Sequence, residues 1–261
     1  MRRRGPDHSN INEFIFKINL LKTIYNMSNL QFMLAKEFMK GGNVDPKGWL
    51  VSEKFDGYRA CYSYEDNKFY SRQNKPFNAP EWFIEAMPPR LVDGELWIGR
   101  NMFQEMGSVR KKVPIDEEWL NVTFQVYDMP GHEGTFAERL KELKRIVKMT
   151  RDRWLIRRKE YPYPFNKIDC PVVVAKQTVV KNDQHMDKVY QDIIKNGGEG
   201  IMLKDPNSPY EGKRSDFLLK YKPNFDAEGI IIGYKPGQGK YQGMLGGFTC
   251  RQLINHDTYM S

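Results

Sequence analysis

The sequence predicts an α+β fold in which antiparallel sheets are flanked by helices. The aromatic side chains of 58–64 all fall on one face at period two, and a second strand-like run, 68–72, follows a short polar turn, which indicates a hairpin. Two later segments, 135–147 and 183–196, carry apolar residues at helical spacing instead. The chain of 261 residues is long enough for one large domain or two modest ones.

The start of the chain is predicted to be helical. Residues 1–30 form an N-terminal extension whose apolar residues fit one amphipathic helix, and residues 31–40 fit a second, short helix. From Trp49 onward the pattern changes to strands. Beyond the first hairpin, strands are predicted over 91–97, 122–128, 172–174, 200–204 and 217–222.

The two long helices carry recognisable end signals. Thr135 and Glu138 have the spacing of a capping box, in which each side chain satisfies a free backbone N–H at the helix start. Gly197 is a suitable residue to end the helix of 183–196. Glycine can adopt the left-handed conformation that often closes a helix, so this helix is expected to stop there.

A domain boundary is expected near residue 224. The segment after it contains a strand over 228–234, a glycine-rich hairpin over 236–247 and a return strand over 248–253. The 37 residues of 225–261 are too few for an independent domain. The main domain is therefore predicted over 31–224.

Composition and charge exclude several classes of protein. No stretch approaches the ~20 apolar residues that cross a bilayer, and no apolar signal core follows the basic start, so an intracellular protein is expected, in a nucleus, a viral factory or a bacterial cytoplasm. The net charge of +8 admits anionic partners, nucleic acid first and a membrane surface second. Three cysteines and four histidines lack the spacing of a zinc site.

The strongest chemical signal is a K-x-D-G motif formed by Lys54, Asp56 and Gly57. Alone, this short pattern is explained as well by a surface turn with a solvated lysine. Other motifs follow it in order along the chain: Asp93-Gly94-Glu95-Leu96, Phe124-Gln125-Val126-Tyr127-Asp128, Gly198-Glu199-Gly200-Ile201-Met202-Leu203-Lys204 and Leu219-Lys220-Tyr221-Lys222.

In this order the motifs resemble those of the covalent nucleotidyltransferases, which are ATP-dependent DNA ligases, RNA ligases and mRNA capping enzymes. Over roughly residues 30–253 the chain is most similar to small ATP-dependent DNA ligases of bacteria and large DNA viruses. The segments that carry this similarity are 49–54, 71–74, 77–80, 93–97 and 210–215. The resemblance implies an ATP-grasp-like nucleotidyltransferase (adenylation) domain over 31–224, an incomplete OB-fold over 225–261, and a monomer that binds ATP and nicked duplex DNA.

Lys54 is the candidate nucleophile. Attack on a phosphorus atom needs an unprotonated amine, which a lysine supplies when desolvation and neighbouring cations disfavour its ammonium form. Lys220 and Lys222 lie one residue apart on a predicted strand and therefore point to the same side. They are expected to clamp the α-phosphate and neutralise the charge that develops during transfer.

The remaining candidates would bind metal, base and sugar. Glu95 and Glu199 offer the hard oxygen ligands that suit Mg²⁺, and the resemblance gives Glu95 a ribose contact as well. Tyr127 and Met202 could hold an adenine ring between them. The other roles are implied by the resemblance: ribose or nick 5′-phosphate for Arg59 and Arg72, the 3′-hydroxyl end for Asp56, and a nucleotide contact for Glu53.

The resemblance implies a DNA ligase with ATP and Mg²⁺ as cofactors, active in DNA replication, repair and recombination. Lys54 would form lysyl-AMP, AMP would pass to the 5′-phosphate of a nick, and the 3′-hydroxyl would displace it. Two alternatives stay open: an RNA ligase or mRNA capping guanylyltransferase, since ring stacking does not choose adenine over guanine, and a non-catalytic basic nucleic-acid-binding protein.

The end of the chain departs from the ligase pattern. These ligases carry a late basic motif that orients the departing pyrophosphate, and no such motif follows Arg251. Either the chain is a fragment, or a partner supplies the missing part, or self-adenylation is impaired. The expectation for this chain is an incomplete barrel and weak self-adenylation, with the sealing of pre-adenylated nicks better retained.

Overall fold

The structure is a computed structural model that describes residues 30–223 and 229–252. The amphipathic helix predicted within 1–30 falls almost wholly outside these ranges. The chain divides into two compact units, one through Lys222 and one from Pro223. The domain bounds predicted from the sequence stay predictions.

Strands outnumber helices in the described part of the chain. The strands are β1 (Leu34–Glu37), β2 (Leu50–Glu53), β3 (Tyr58–Ser63), β4 (Lys68–Ser71), β5 (Pro76–Phe77), β6 (Val92–Trp97), β7 (Thr123–Asp128), β8 (Val172–Val174), β9 (Thr178–Val179), β10 (Ile201–Lys204), β11 (Arg214–Tyr221), β12 (Gly229–Pro236) and β13 (Leu245–Gln252). The α-helices are α1 (Glu81–Glu85), α2 (Phe136–Arg157) and α3 (Asp183–Lys195). Short 3-10 helices cover Phe103–Arg110, Asp116–Trp119, Arg158–Glu160, Phe165–Lys167 and Gly239–Tyr241.

Sheet 1 has the strand order β1-β11-β10-β2-β9 and is antiparallel except for the pair β1–β11. Successive residues of a strand point to opposite faces. One face carries Val51, Ile201, Leu203 and Leu219, which form a core cluster with Met186 and Tyr190 of α3. The opposite face is left for the polar residues of the site.

Sheet 2 has the strand order β5-β4-β3-β6-β7-β8, with β7 and β8 parallel and the other neighbours antiparallel. One face forms the larger core with α1 and α2. Its members include Ala60, Tyr62, Phe69, Leu96, Phe124 and Val126 from the strands and Trp82, Phe136, Leu140, Leu143, Val147 and Trp154 from the helices. The intervening strand residues belong to the other face.

The α+β class and the two long helices are confirmed. Thr135 and Glu138 form the predicted capping box at the start of α2. Helix α3 ends at Lys195 with Asn196 as its C-cap, and Gly197 follows with φ of 79°. The prediction of a helix over 31–40 is wrong, because β1 lies there and pairs with β11. The apolar residues of this segment fit helical spacing, but a partner strand 180 residues further along the chain determines the conformation.

The second unit contains a two-stranded antiparallel sheet of β12 and β13, in which Tyr234 lies opposite Phe248. The predicted hairpin is therefore present, and the assignment of this unit to an OB-fold stays a prediction. No helix in the described part of the chain is long and apolar enough to cross a membrane.

Candidate functional site

A cavity of about 290 Å³ lies between the polar faces of sheet 1 and sheet 2. Sheet 1 supplies Met202 and Lys220 to its wall, and sheet 2 supplies Arg59, Glu95 and Tyr127. The cavity therefore gathers residues from motifs that are far apart in the sequence.

Lys54 stands directly after β2 and lines the cavity. Its backbone N–H donates to the carbonyl of Gly200 at 2.9 Å. Gly200 has φ of 151°, and a Cβ there would lie 2.3 Å from the Tyr221 carbonyl oxygen, so this close approach requires glycine. The glycine thus brings its neighbour Glu199 beside Lys54.

Glu199 pairs with two of the predicted lysines. Its Oε2 accepts from the Lys54 ammonium, and its Oε1 lies 3.4 Å from Lys222 Nζ. Lys54 and Glu199 keep 23% and 25% of their side-chain surface exposed, so both remain accessible to a ligand. The predicted nucleophile, one phosphate-clamp lysine and the predicted metal ligand are therefore in direct contact.

Residues paired across neighbouring strands form a row on the cavity face of sheet 1. Met202 lies opposite Ser52 on one side and Lys220 on the other, and all three line the cavity. Lys220 Nζ forms an ion pair with Glu37 at 2.8 Å. Lys220 lies on this face of β11, and Lys222 follows the last residue of the strand, Tyr221.

Arg59 and Asp93 form a bidentate pair on the facing sheet. The Arg59 Nη2 and Nε donate to Asp93 at 2.7 Å and 3.1 Å, and Nη1 donates to the Met33 carbonyl at 2.8 Å. The Tyr210 hydroxyl donates to the same carboxylate at 2.9 Å. Arg59 lines the cavity and is held in place by a buried acid.

Glu95 lies opposite Arg59 in the ladder of β3 and β6. Burial raises the pKa of Glu95 to about 8, although the positive charges of Arg59 and Lys54 act in the opposite direction. The charge of Glu199 also contributes to the rise, because a second carboxylate nearby disfavours ionisation. A cation between these two carboxylates would relieve both effects.

Tyr127 and Met202 reach the cavity from opposite sheets, β7 and β10. The Tyr127 hydroxyl donates to the Gly94 carbonyl at 3.3 Å, and the Arg59 guanidinium lies 5.7 Å from the centre of its ring. A flat ring bound between Tyr127 and Met202 would meet an aromatic face on one side and a thioether on the other.

Three other predicted residues lie at the margins. Glu53 lines the cavity, but Arg100 binds its carboxylate bidentately, with both N···O distances 2.8 Å. Arg72 is exposed and lines the cavity. Asp56 is exposed and is not part of the cavity wall, which suits contact with a macromolecule better than contact with a small ligand.

Sequence reasoning missed a buried ion cluster that reaches the cavity wall at Lys204. Asp128 accepts from Arg139 Nε at 2.7 Å and from the Lys204 ammonium, and all three side chains are almost fully buried. Burial alone would raise the pKa of Asp128, but Lys204 and Arg139 outweigh it and lower this pKa. Asp93, Asp128 and Lys204 belong to quoted motifs and could have been proposed from them, whereas Arg100 and Arg139 carry no motif signal.

The donor set suits Mg²⁺ with only two protein ligands. Among the described residues there is no cluster of three or more acidic, histidine or cysteine side chains that could hold a metal ion. Mg²⁺ usually keeps several waters and binds one or two carboxylates together with phosphate oxygens. Glu95 and Glu199, within electrostatic range of each other, fit this pattern.

Chemically, the cavity combines an amine, further cations and a candidate stacking pair. Lys54 and Lys220 line it together with Tyr127 and Met202, which come from opposite sheets, and Lys222 contacts Glu199 beside Lys54. The arrangement can bind a nucleotide with its phosphates near Lys54.

Comparisons with known proteins agree on one family. Residues 32–222 match the family described as "ATP dependent DNA ligase domain". The DNA ligase of Haemophilus influenzae is 30% identical over 227 residues, which cover 87% of this chain and 76% of that protein. The DNA ligase of Archaeoglobus fulgidus is 35% identical over 248 residues, but this chain spans only 40% of its length.

Solved structures show the same fold. A Lig E DNA ligase superposes with a TM-score of 0.68 and 28% identity, covering 85% of this chain and 80% of that one. Chlorella virus DNA ligase-adenylate superposes with a TM-score of 0.58 at 19% identity, covering 78% of this chain and 73% of that one.

Proposed function

The chain belongs to the ATP-dependent DNA ligases, and on that premise we propose that its cavity forms lysyl-AMP on Lys54 and passes the AMP to the 5′-phosphate of a DNA nick. The 3′-hydroxyl of the nick then displaces AMP and closes the strand. The observation that carries the proposal is the contact of Lys54, which lines the cavity, with Glu199, which in turn contacts Lys222.

Lys54 acts as the nucleophile. An ammonium nitrogen has no lone pair, so Lys54 must leave Glu199 and lose a proton before it attacks the α-phosphorus. The attack forms a P–N bond and breaks the bond to the departing pyrophosphate. Lys220 and Lys222 offset the negative charge on the α-phosphate oxygens as the bond forms.

Glu95 and Glu199 are the residues that would hold Mg²⁺. When bound, the ion would polarise phosphate oxygens and neutralise charge during transfer. Glu95 would also bind the ribose, as its position opposite Arg59 on the facing sheet allows. Tyr127 and Met202 would hold the adenine ring between them.

The sealing step needs contacts with DNA outside the cavity. We assign the 5′-phosphate of the nick to Arg72, with Arg59 at the boundary between nucleotide and nick, and the 3′-hydroxyl end to Asp56. The exposed positions of Arg72 and Asp56 support this assignment. Glu53 would act near the nucleotide while Arg100 holds its carboxylate.

The two units would divide the work. Residues 31–224 would be the adenylation domain, and the hairpin of β12 and β13 would be the start of an OB-fold, which in other proteins binds nucleic acid. We further propose that the protein acts as a monomer on nicked duplex DNA.

The test is covalent labelling with α-³²P-labelled ATP and Mg²⁺, followed by denaturing electrophoresis. We expect a labelled band that hydroxylamine removes and that Lys54→Ala abolishes, with Lys222→Ala as a comparison that weakens the label without changing the labelled residue. Preferential labelling by GTP would indicate capping chemistry. A label that survives in Lys54→Ala would exclude Lys54 as the nucleophile.

A further inference from the structure

We propose that Gln177 hydrogen-bonds the edge of the purine base and selects adenine through its 6-amino group. The inference rests on the proposed nucleotide site and adds a determinant of base identity, which stacking between Tyr127 and Met202 does not provide. It starts from a glutamine that no motif includes.

The position of Gln177 follows from strand register. In the pair of β2 and β9, Val51 lies opposite Thr178 and Leu50 opposite Val179. Extending this register by one residue places Gln177 opposite Ser52, which itself lies opposite Met202. Gln177 therefore belongs to the same row as Ser52, Met202 and Lys220, and all four line the cavity.

The carboxamide of Gln177 has unused hydrogen-bonding capacity. Its Oε1 is buried and accepts no hydrogen bond from the described residues. Buried polar atoms in folded proteins are normally paired, so an unpaired acceptor at a cavity wall calls for a partner. A ligand in the cavity is the partner that this position offers.

The row also gives the ligand a direction. Lys220 is next to Met202 on one side, and Ser52 and then Gln177 follow on the other. Neighbouring strands are about 4.8 Å apart, so Gln177 stands roughly 10 Å from Met202, measured along the row. If the ring covers Met202, the edge of the ring on the side of β2 points toward Ser52 and Gln177.

The chemistry of this edge distinguishes purines. Adenine offers an amino donor beside a ring-nitrogen acceptor, and a glutamine amide pairs with both at once. Guanine has a carbonyl acceptor at the position of the amino group. A purine that carries only hydrogen at this position can still stack on Tyr127 but gives Oε1 nothing to accept from.

The experiment is equilibrium binding of ATP and of purine riboside triphosphate, which lacks the 6-amino group, by calorimetry without Mg²⁺ so that no transfer occurs. We expect the unaltered protein to bind ATP about tenfold more tightly than the analogue, as one hydrogen bond provides. In Gln177→Leu the two affinities should become nearly equal through weaker binding of ATP alone.

Two further variants serve as controls for the loss of the Gln177 acceptor. Thr178→Val changes the next residue, which points to the other face of β9, and should keep the full preference for ATP. Gln177→Glu keeps an acceptor for the amino group and should retain a preference for ATP over the analogue.

Three results would overturn the inference. One is an unchanged preference in Gln177→Leu. Another is an equal loss of both nucleotides in that variant, which would indicate a purely structural role. The third is an unaltered protein that binds neither nucleotide, which would remove the proposed nucleotide site as well. A protein that binds ATP with the expected preference but is never labelled would count against the proposed function alone.

Discussion

Lys54 and Glu199, 145 residues apart in the sequence, donate and accept a hydrogen bond between their charged ends. The residue proposed to attack phosphorus and the residue proposed to hold the metal therefore occupy each other in this structure. Glu199 cannot give both oxygens to a metal while it holds Lys54 and Lys222. A bound cation would compete with the two lysines for this carboxylate and would free Lys54.

Replacement of Glu199 by alanine should lower the rate of lysyl-AMP formation about 100-fold or more, because it removes a hard ligand from the Mg²⁺–phosphate site. Raising ATP should restore little of this rate. The rate of covalent labelling, measured against ATP and against Mg²⁺ concentration, checks the prediction. Glu118→Ala is the matched control, since Glu118 also pairs with a lysine, Lys111, away from the cavity. Equal losses of labelling rate in Glu199→Ala and Glu118→Ala would contradict the metal-binding role of Glu199.

Replacement of Tyr127 by alanine should raise the ATP concentration needed for half-maximal labelling. Loss of one face of a stacking pair costs ~1–3 kcal/mol by analogy with base–aromatic stacking, or about 5- to 150-fold in affinity. High ATP should therefore restore much of the rate, unlike in Glu199→Ala. Tyr127→Phe keeps the ring and loses only the hydrogen bond to Gly94, so it should stay close to the unaltered protein. If Tyr127→Ala also resists rescue by ATP, the two roles are not separate.

Glu95 should make the free protein less stable as the pH rises. Its pKa is about 8 in the folded protein against an ordinary value of 4.5. Between these two values the folded protein binds more protons at this site than the unfolded chain, so the free energy of unfolding falls with rising pH. Glutamine at this position cannot ionise. As the pH rises over that range, Glu95→Gln should therefore gain stability relative to the unaltered protein.

Urea unfolding of the two proteins at about pH 5 and about pH 8.5 measures this difference. Glu138→Gln is the control, because the capping bonds from Thr135 lower the pKa of Glu138 and place its titration below this range. A constant difference between Glu95→Gln and the unaltered protein at both pH values would show that Glu95 ionises normally.

Arg139→Met should destabilise the fold by about 3–5 kcal/mol, since it leaves the buried charge of Asp128 with one cation fewer. Arg139 is fully buried and also donates to the carbonyls of Gly134 and Ser208, at 2.8 Å and 3.1 Å. Urea unfolding measures the loss. The comparison is Arg151→Met at an exposed pair with Asp169, where about 1 kcal/mol or less is expected. Similar losses in both variants would mean that burial adds nothing to the Asp128 pair.

Local sequence patterns predicted the elements that rest on local rules. Period-two aromatics identified β3, and the box of Thr135 and Glu138 identified the start of α2. The same rules predicted a helix over 31–40 wrongly, because strand β1 in this segment forms through pairing with β11. Helical spacing and strand pairing compete for such a segment, and long-range hydrogen bonds decide the outcome.

The sequence motifs predicted which residues form the candidate site, but they did not predict the contacts among those residues. Lys54, Glu95, Tyr127, Met202 and Lys220 came from motif residues and all line one cavity. The ion-pair partners of two other predicted residues were not foreseen: Asp93 pairs with Arg59, and Arg100 pairs with Glu53. Such pairs depend on which faces two distant segments turn to each other, and neither spacing nor composition encodes this.

The parallel pairing of β1 with β11 sets the order in which a growing chain can fold. When synthesis has reached Val174, every strand of sheet 2 has been made, but sheet 1 has only β1 and β2, which are not neighbours in it. Strand β1 must wait for β11, and β2, apart from its short pairing with β9, must wait for β10, so one backbone edge of each strand stays unpaired until then. On the ribosome, sheet 2 can therefore form first, and the wall that carries Lys54 and Lys220 is completed only after residue 221 has emerged.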